Sequence, residues 1–176
     1  MTRTRACAIL RVTFDGREEA MIVIASEAYE QLMEACRTAY PAEACGLLIA
    51  AGGPGGPIDR IRPVRNAHPR PESGYRFDPA DWVRAWTETR QSRRRIAGFY
   101  HSHPHGAPAP SAADLTGWRQ FGSPDFTYWI ISLRDIKRPE TAAYRMQGSA
   151  PDSPLMPAEI RIQIAERHDV ARGDSV

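Results

Sequence analysis

Apolar and polar positions alternate through residues 6–14 and again through 20–24, the period-two signature of half-buried strands, and the Asp15-Gly16 pair between them is a favoured hairpin dipeptide. The period then lengthens. Between 27 and 38, Tyr29, Leu32, Met33 and Cys36 recur at helical spacing, with Ser26 as the expected N-cap and Pro41 closing the segment. Residues 45–50 are a short apolar run of the kind found in fully buried strands. The Gly- and Pro-rich stretch 52–57 is a turn or loop, and 58–65 reads as the strand after it. Residues 66–74, polar and rich in proline, predict an irregular loop. Asp78-Pro79 then starts a helix to about residue 94, with Asp as cap, Pro at the first helical position and Asp81 in the first turn. That helix places Trp82, Ala85, Trp86 and Thr89 on one face. Residues 96–103 run from apolar to histidine-rich and read as a central strand ending in a site. A loop (104–110), a short helix (111–121) and strands at 126–133 and 141–146 follow.

Beyond Gly148 the composition turns to Pro and Ser. Residues 148–158 read as a linker, 159–165 as a last strand, and 166–176 as a frayed end. The pattern predicts one domain over residues 1–176 with its core at about 6–147. Its class is α/β (α+β), built on a central mixed sheet.

Composition narrows the partners. Of 176 residues, 42% are apolar and 25% charged, the balance of a soluble globular chain. Lys and Arg number 23 against 21 Asp and Glu, a formal charge of only +2, and no basic stripe is interleaved with aromatics, so no nucleic-acid partner is expected. The run Arg93-Arg94-Arg95 reads as a solvated helix end. No apolar stretch approaches the roughly 18 residues that would cross a bilayer, and the basic N-terminus lacks the apolar core of a secretory signal. Three cysteines without a CxxC pair suggest neither a disulfide framework nor a thiolate metal cluster. A reducing cytoplasm is the expected location.

The chemistry lies near residue 100. Three of the five histidines fall at 101, 103 and 105. Residues two apart on a strand share a face, so His101 and His103 present their imidazoles side by side, as two ligands of one metal must. Pro104 cannot continue a central ladder, which puts the pair at a strand end. Asp114 is the third residue after Ser111 and falls in the first turn of the short helix. Two imidazoles and one carboxylate leave a fourth tetrahedral position open, the mark of a catalytic zinc site. Glu43 and Ser111 are candidates for the base and the oxyanion donor. Each piece alone has a plainer reading: Ser111-Ala-Ala-Asp114 is a helix-capping pattern, an HxH pair is common on surfaces, and Glu43 is an acid after a proline.

Taken in order, Glu43, then His101-Ser102-His103-Pro104, seven residues (104–110), Ser111, two residues and Asp114 resemble the JAMM motif of the MPN-domain metalloproteases. Pro41-Ala-Glu-Ala-Cys-Gly-Leu-Leu48 is similar to the segment that carries the glutamate in short prokaryotic members. Arg65-Asn66-Ala67 and Tyr75-Arg-Phe-Asp78-Pro79 resemble the approach to the helix before the HxH strand. The likeness covers roughly residues 20–147. It implies a cytidine-deaminase-like MPN fold, a curved mixed β-sheet flanked by helices. It also implies one catalytic Zn2+ held by His101, His103 and Asp114, with Glu43 as general base and Ser111 as oxyanion donor. The substrate class it implies is the tail of a ubiquitin-like or sulfur-carrier protein, cut after its Gly-Gly.

Asn66 and His105 are the further candidates for contact with substrate, loop capping being the alternative for Asn66. Cys45 shares a face with Glu43 and is expected to be a small buried hydrophobe. Trp118 and Trp129 are expected in the core or a cleft wall, and His68 and His168 at the surface. A homodimer is compatible with exposed sheet edges. Two other functions stand beside the peptidase: a non-catalytic MPN-like scaffold and a non-haem iron enzyme.

Overall fold

In the computed structural model, residues 10–14, 17–52, 56–120, 126–147 and 156–166 are described. Strands β1 (Leu10–Phe14) and β2 (Arg17–Ala25) pair antiparallel, with Phe14 opposite Arg17; the Asp15-Gly16 turn lies outside the described residues. Helix α1 (Ser26–Ala39) buries Ala28, Leu32, Met33 and Cys36. Its N-cap is Ala25, in extended conformation and without a side-chain bond, so the expected Ser26 cap is corrected: Ser26 is the first helical residue. Its hydroxyl donates to Glu27 Oε2 at 3.4 Å rather than accepting from the helix backbone. β3 (Cys45–Ala50) and β4 (Ile58–Val64) follow, then α2 (Pro79–Gln91), whose cap is the expected one: Asp78 Oδ1 accepts from Asp81 N at 2.9 Å. α2 ends at Gln91, short of residue 94, because the chain turns through Arg93 at a left-handed φ of 56°. The basic run therefore divides: Arg93 is exposed in the turn, Arg94 pairs with Asp59, and Arg95 opens β5 (Arg95–His103). α3 (Ala112–Gln120), β6 (Thr127–Ser132), β7 (Glu140–Gln147) and β8 (Met156–Ala165) complete the order.

The strands form one mixed sheet in the order β1-β2-β4-β3-β5-β6-β7-β8, and β8 also pairs with β2, so the sheet closes on itself. β2–β4, β2–β8 and β5–β6 are parallel; the other pairs are antiparallel. Strand β8 begins at Met156, inside the span 148–158 expected as linker, because residues 156–160 continue the antiparallel ladder on β7. Its further half, Arg161 to Ala165, lies parallel to Met21 to Ala25. His168 lies outside the described residues.

Strand alternation sorts the core into two layers. Leu48, Tyr100, Trp129 and Ile131 face α1 and pack with Leu32, Met33 and Cys36. Leu47, Ile49, Phe99, Tyr128 and Ile130 face the other way, against Ala85 of α2 and Trp118 of α3. With both faces covered, every residue of β3 and β6 is buried, as their unbroken apolar runs require. Each buried Leu or Ile among them contributes roughly 1.5–3 kcal/mol, and truncating the fully buried Trp129 to Ala should cost about 3–5 kcal/mol. Parity then assigns the chemistry. His101 and His103 lie on the Phe99 face, toward α2 and α3, while Ser102 lies with Tyr100 on the α1 face.

Candidate metal centre

The ligand pair comes from the end of β5. His101 is almost wholly buried and His103 opens slightly to solvent, since Pro104 ends the strand beside it. Asp114 arrives from the first turn of α3, and the turn's geometry explains how. Ser111 Oγ accepts from Asp114 N at 3.1 Å, while Asp114 Oδ2 accepts from Ser111 N at 2.7 Å, the reciprocal pattern of a capping box. Ser111 Oγ also donates to Asp114 Oδ2 at 2.6 Å. The helix-capping reading of Ser111 and Asp114 is therefore compatible with a ligand role for Asp114. The cap turns the carboxylate toward the histidines.

The donor atoms converge. His101 Nε2 stands 3.0 Å from His103 Nε2 and 3.2 Å from Asp114 Oδ1, and His103 Nε2 stands 3.5 Å from Asp114 Oδ2. A tetrahedral zinc with bonds of about 2.0–2.2 Å sets its ligand atoms about 3.3–3.6 Å apart. One separation falls in that range and the other two lie within about 0.3 Å below it, and His101, His103 and Asp114 form a group that could hold a metal ion among the described residues.

The tautomer of His103 follows from a neighbour that can only accept. Its Nδ1 lies 2.9 Å from the Ala107 carbonyl, so Nδ1 carries hydrogen and the neutral ring presents its Nε2 lone pair to the cluster. Gly106 makes that close turn feasible, since a Cβ there would stand 3.1 Å from His103 Nδ1. His101 is oriented by a ring stack instead: Tyr75 lies over it with centroids 4.5 Å apart and planes at 25°. Tyr75 belongs to the flanking segment noted in the sequence, yet nothing in the pattern assigned it a role. Its placement beside Phe77, two residues on and also in the aromatic cluster, is the one local signal available.

Glu43 sits two residues before β3. Cys45 is paired with His101, and Ser102 N donates to Ala44 O at 2.9 Å, so continuing the antiparallel register sets Glu43 across from His103 on the same face. Burial pushes its carboxyl up to about 7, with nearby His103 opposing and Asp114 adding to the rise. Asp114 behaves oppositely: burial works against its charge, but bonds from His101, His103 and Ser111 hold it well below the usual carboxylate range. Burial lowers His101, against the pull of Asp114. For His103 burial also acts downward, but Asp114, the Ala107 carbonyl and Glu43 together carry it upward. The site thus holds one firmly ionised carboxylate and one carboxylate poised to exchange a proton near neutrality.

The remaining candidates separate clearly. Asn66 does not point a free amide at a substrate. Its Nδ2 donates to the Glu43 and Gly74 carbonyls, both at 3.0 Å, and its Oδ1 accepts from His68 N and Arg76 N. All four of its hydrogen-bonding positions are used within the protein, the arrangement of a loop cap, and one of them ends on the Glu43 carbonyl. His105 lies outside the ligand cluster, exposed, with its ring edge-on to Tyr40 at 6.0 Å. His68 is half-buried rather than on the surface, its ring packed over Gly74. Cys45 is buried, its thiol donating to the Val64 carbonyl at 3.3 Å and pushed up to about 12 by burial and by Glu43, which leaves no thiolate nucleophile. Trp118 and Trp129 are both core residues.

The chain is similar to known proteins over most of its length. A CysO-cysteine peptidase of Mycobacterium tuberculosis is 29% identical over 136 residues, 77% of this chain and 90% of that protein. A desampylase of Haloferax volcanii is 34% identical over 94 residues, 52% of this chain and 63% of its own length. Among solved structures, a protein of Desulfitobacterium hafniense superposes with a TM-score of 0.64 at 28% identity, over 84% of this chain and 97% of its own. The family of prokaryotic homologs of the JAB domain matches residues 25–147, a span that holds Glu43, both histidines, Ser111 and Asp114, and the chain belongs to that family.

Proposed function

We propose that this protein is a zinc-dependent peptidase that hydrolyses the bond following the terminal Gly-Gly of a ubiquitin-like or sulfur-carrier protein. The observation that carries the reading is the pairing of a zinc-sized His, His, Asp cluster with a buried Glu43 whose carboxyl is raised to about 7. The relatives named for cleavage of CysO-cysteine and for desampylation support the substrate class.

His101, His103 and Asp114 would hold the metal. Zinc bound there supplies a water of lowered pKa, about 7, and a Lewis acid for the scissile carbonyl. The remaining work falls to the chain. Glu43, near neutrality and walled from bulk water, takes the proton of the attacking water and returns it to the leaving amine; such general acid–base work typically contributes ~10²–10⁴ in rate. Ser111 Oγ has a single proton, which is directed at Asp114 Oδ2. Turning that hydroxyl toward the developing oxyanion leaves Asp114 still held by Ser111 N at 2.7 Å, so the donor can be lent without loosening the ligand.

The test is metal analysis joined to cleavage. Purified protein should take up one zinc per chain and trim a carrier that bears a short extension after Gly-Gly. Zinc-loaded protein that leaves every such carrier intact would overturn the reading.

A further inference from the structure

Glu43 lies outside any helix or strand, yet its backbone is fixed at each end. Its N–H donates to the Pro71 carbonyl at 2.7 Å and its carbonyl accepts from Asn66 Nδ2 at 3.0 Å. Ala44 is fixed more unusually. Its carbonyl accepts from Ser102 N at 2.9 Å, a normal rung of the β3–β5 ladder carried one pair beyond Cys45 and His101. Its N–H, which the same ladder would send to a backbone carbonyl, donates instead to Ser102 Oγ at 2.8 Å. One residue therefore grips both backbone polar groups of Ala44, the residue that carries Glu43 into the sheet. That residue stands between the two histidine ligands and is fully buried on the opposite face of β5.

From this geometry we infer that Ser102 is a positioning residue for Glu43: its hydroxyl, as acceptor for Ala44 N–H, holds the base at a fixed distance from the ligands carried by the same strand. The inference rests on the peptidase reading above. Ser102 touches neither substrate nor metal ligand atoms in this role, and a misplacement of about 1 Å at a reacting group can cost about 10² in rate. The ligands need no such help. His103 is held by the Ala107 carbonyl, His101 by Tyr75, and Asp114 by its own cap. Loss of the Ser102 hydroxyl should therefore separate catalysis from metal binding.

The experiment measures kcat, KM and zinc affinity, the last by chelator competition, for Ser102→Ala, Ser102→Cys and Ser102→Thr. A ubiquitin-like carrier extended past its Gly-Gly serves as substrate. Cysteine nearly preserves volume but accepts hydrogen bonds poorly, so it reports even if the alanine variant folds badly. Ala and Cys should lower kcat roughly tenfold to a hundredfold, with KM and zinc affinity within about threefold of the parent. Thr, which keeps the oxygen, should recover most of the rate. In a Glu43→Gln background, Ser102→Cys should cause little further loss, because the two act as a unit. Unchanged kcat in Ser102→Cys, a parallel fall in zinc affinity, or a full additional loss on top of Glu43→Gln overturns the inference while the peptidase reading stands. A parent protein inert on every extended carrier overturns that reading itself.

Discussion

The two halves of the site are built differently. The ligand half stands on regular elements: two histidines at the end of β5 and an aspartate in the first turn of α3, each oriented by a contact within a few residues or by one stacked ring. The base half stands on no element at all. Glu43 is placed by its N–H donating to the Pro71 carbonyl and its carbonyl accepting from Asn66 in the loop 66–77, which is closed at its base by the Asn66–Phe77 bridge and by Asp78 N on the Arg65 carbonyl. Largely local contacts thus gather the candidate ligands, while setting the proposed base against them takes distant parts of the chain.

That contrast is broken or sharpened most strongly by removing one residue from each half. Asp114→Ala and His101→Ala should abolish tight zinc binding and hydrolysis together. Glu43→Gln should keep one zinc per chain and lose roughly 10²–10⁴ in kcat, read by metal analysis beside steady-state rates. If Glu43→Gln lost its zinc as Asp114→Ala does, the division into two halves would be wrong.

A second consequence concerns pH in the metal-free protein. The Glu43 carboxyl is raised from 4.5 to about 7 in the fold, so its neutral form is the one the fold prefers. The stability it contributes is complete below pH 4.5 and is lost as pH rises through 7. Between pH 4.5 and 8, chemical denaturation should show the parent losing roughly 2–3 kcal/mol relative to Glu43→Gln, which has no charge to bury. Added zinc should flatten the difference, since a bound cation favours the ionised form. A pH-independent gap between the two proteins would contradict the burial of this carboxyl.

Asn66 tests the same half at smaller scale. Asn66→Ala removes two donated and two accepted bonds and should cost about 1–3 kcal/mol in thermal or denaturant unfolding. Because one of those bonds ends on Glu43, kcat should fall more than zinc affinity. A variant with lowered stability and unaltered kcat would make Asn66 a brace of the loop alone.

The same division decided what the sequence could disclose. His101 and His103 are two apart on a strand, and Ser111 and Asp114 are three apart at a helix start, so each pair follows from local periodicity, while the meeting of the two pairs was legible only in the spacing of the whole motif. The alternating and helical segments likewise predicted every strand and helix, with errors at boundaries: Ser26 as cap, residue 94 as the end of α2, Met156 inside a supposed linker. The base half was invisible to periodicity. Glu43 meets Asn66 across 23 residues, and Ala44 meets Ser102 across 58. Glu43 stood among the candidates for the base, but only the family resemblance tied it to the histidines, and it assigned no part to Ser102 or Tyr75. The return of β8 to lie parallel to β2 was hidden for the same reason, because a strand's pattern says which face is buried but not which distant strand lies beside it.

Tyr75 marks the boundary of the contrast, as a nonlocal contact that orients a candidate ligand. Its ring lies over His101 at 4.5 Å, and aromatic pairs of this kind contribute about 0.5–1.5 kcal/mol beyond their area. Tyr75→Phe keeps the ring and should bind zinc as the parent does. Tyr75→Leu fills similar space without a face to stack on, and its zinc affinity should fall roughly three- to tenfold by chelator competition. Rates at saturating zinc should be almost unaffected, since Glu43 is held from other directions. Equal zinc affinity in the Phe and Leu variants would show that burial alone fixes the His101 ring, and the ligand half would then be local throughout.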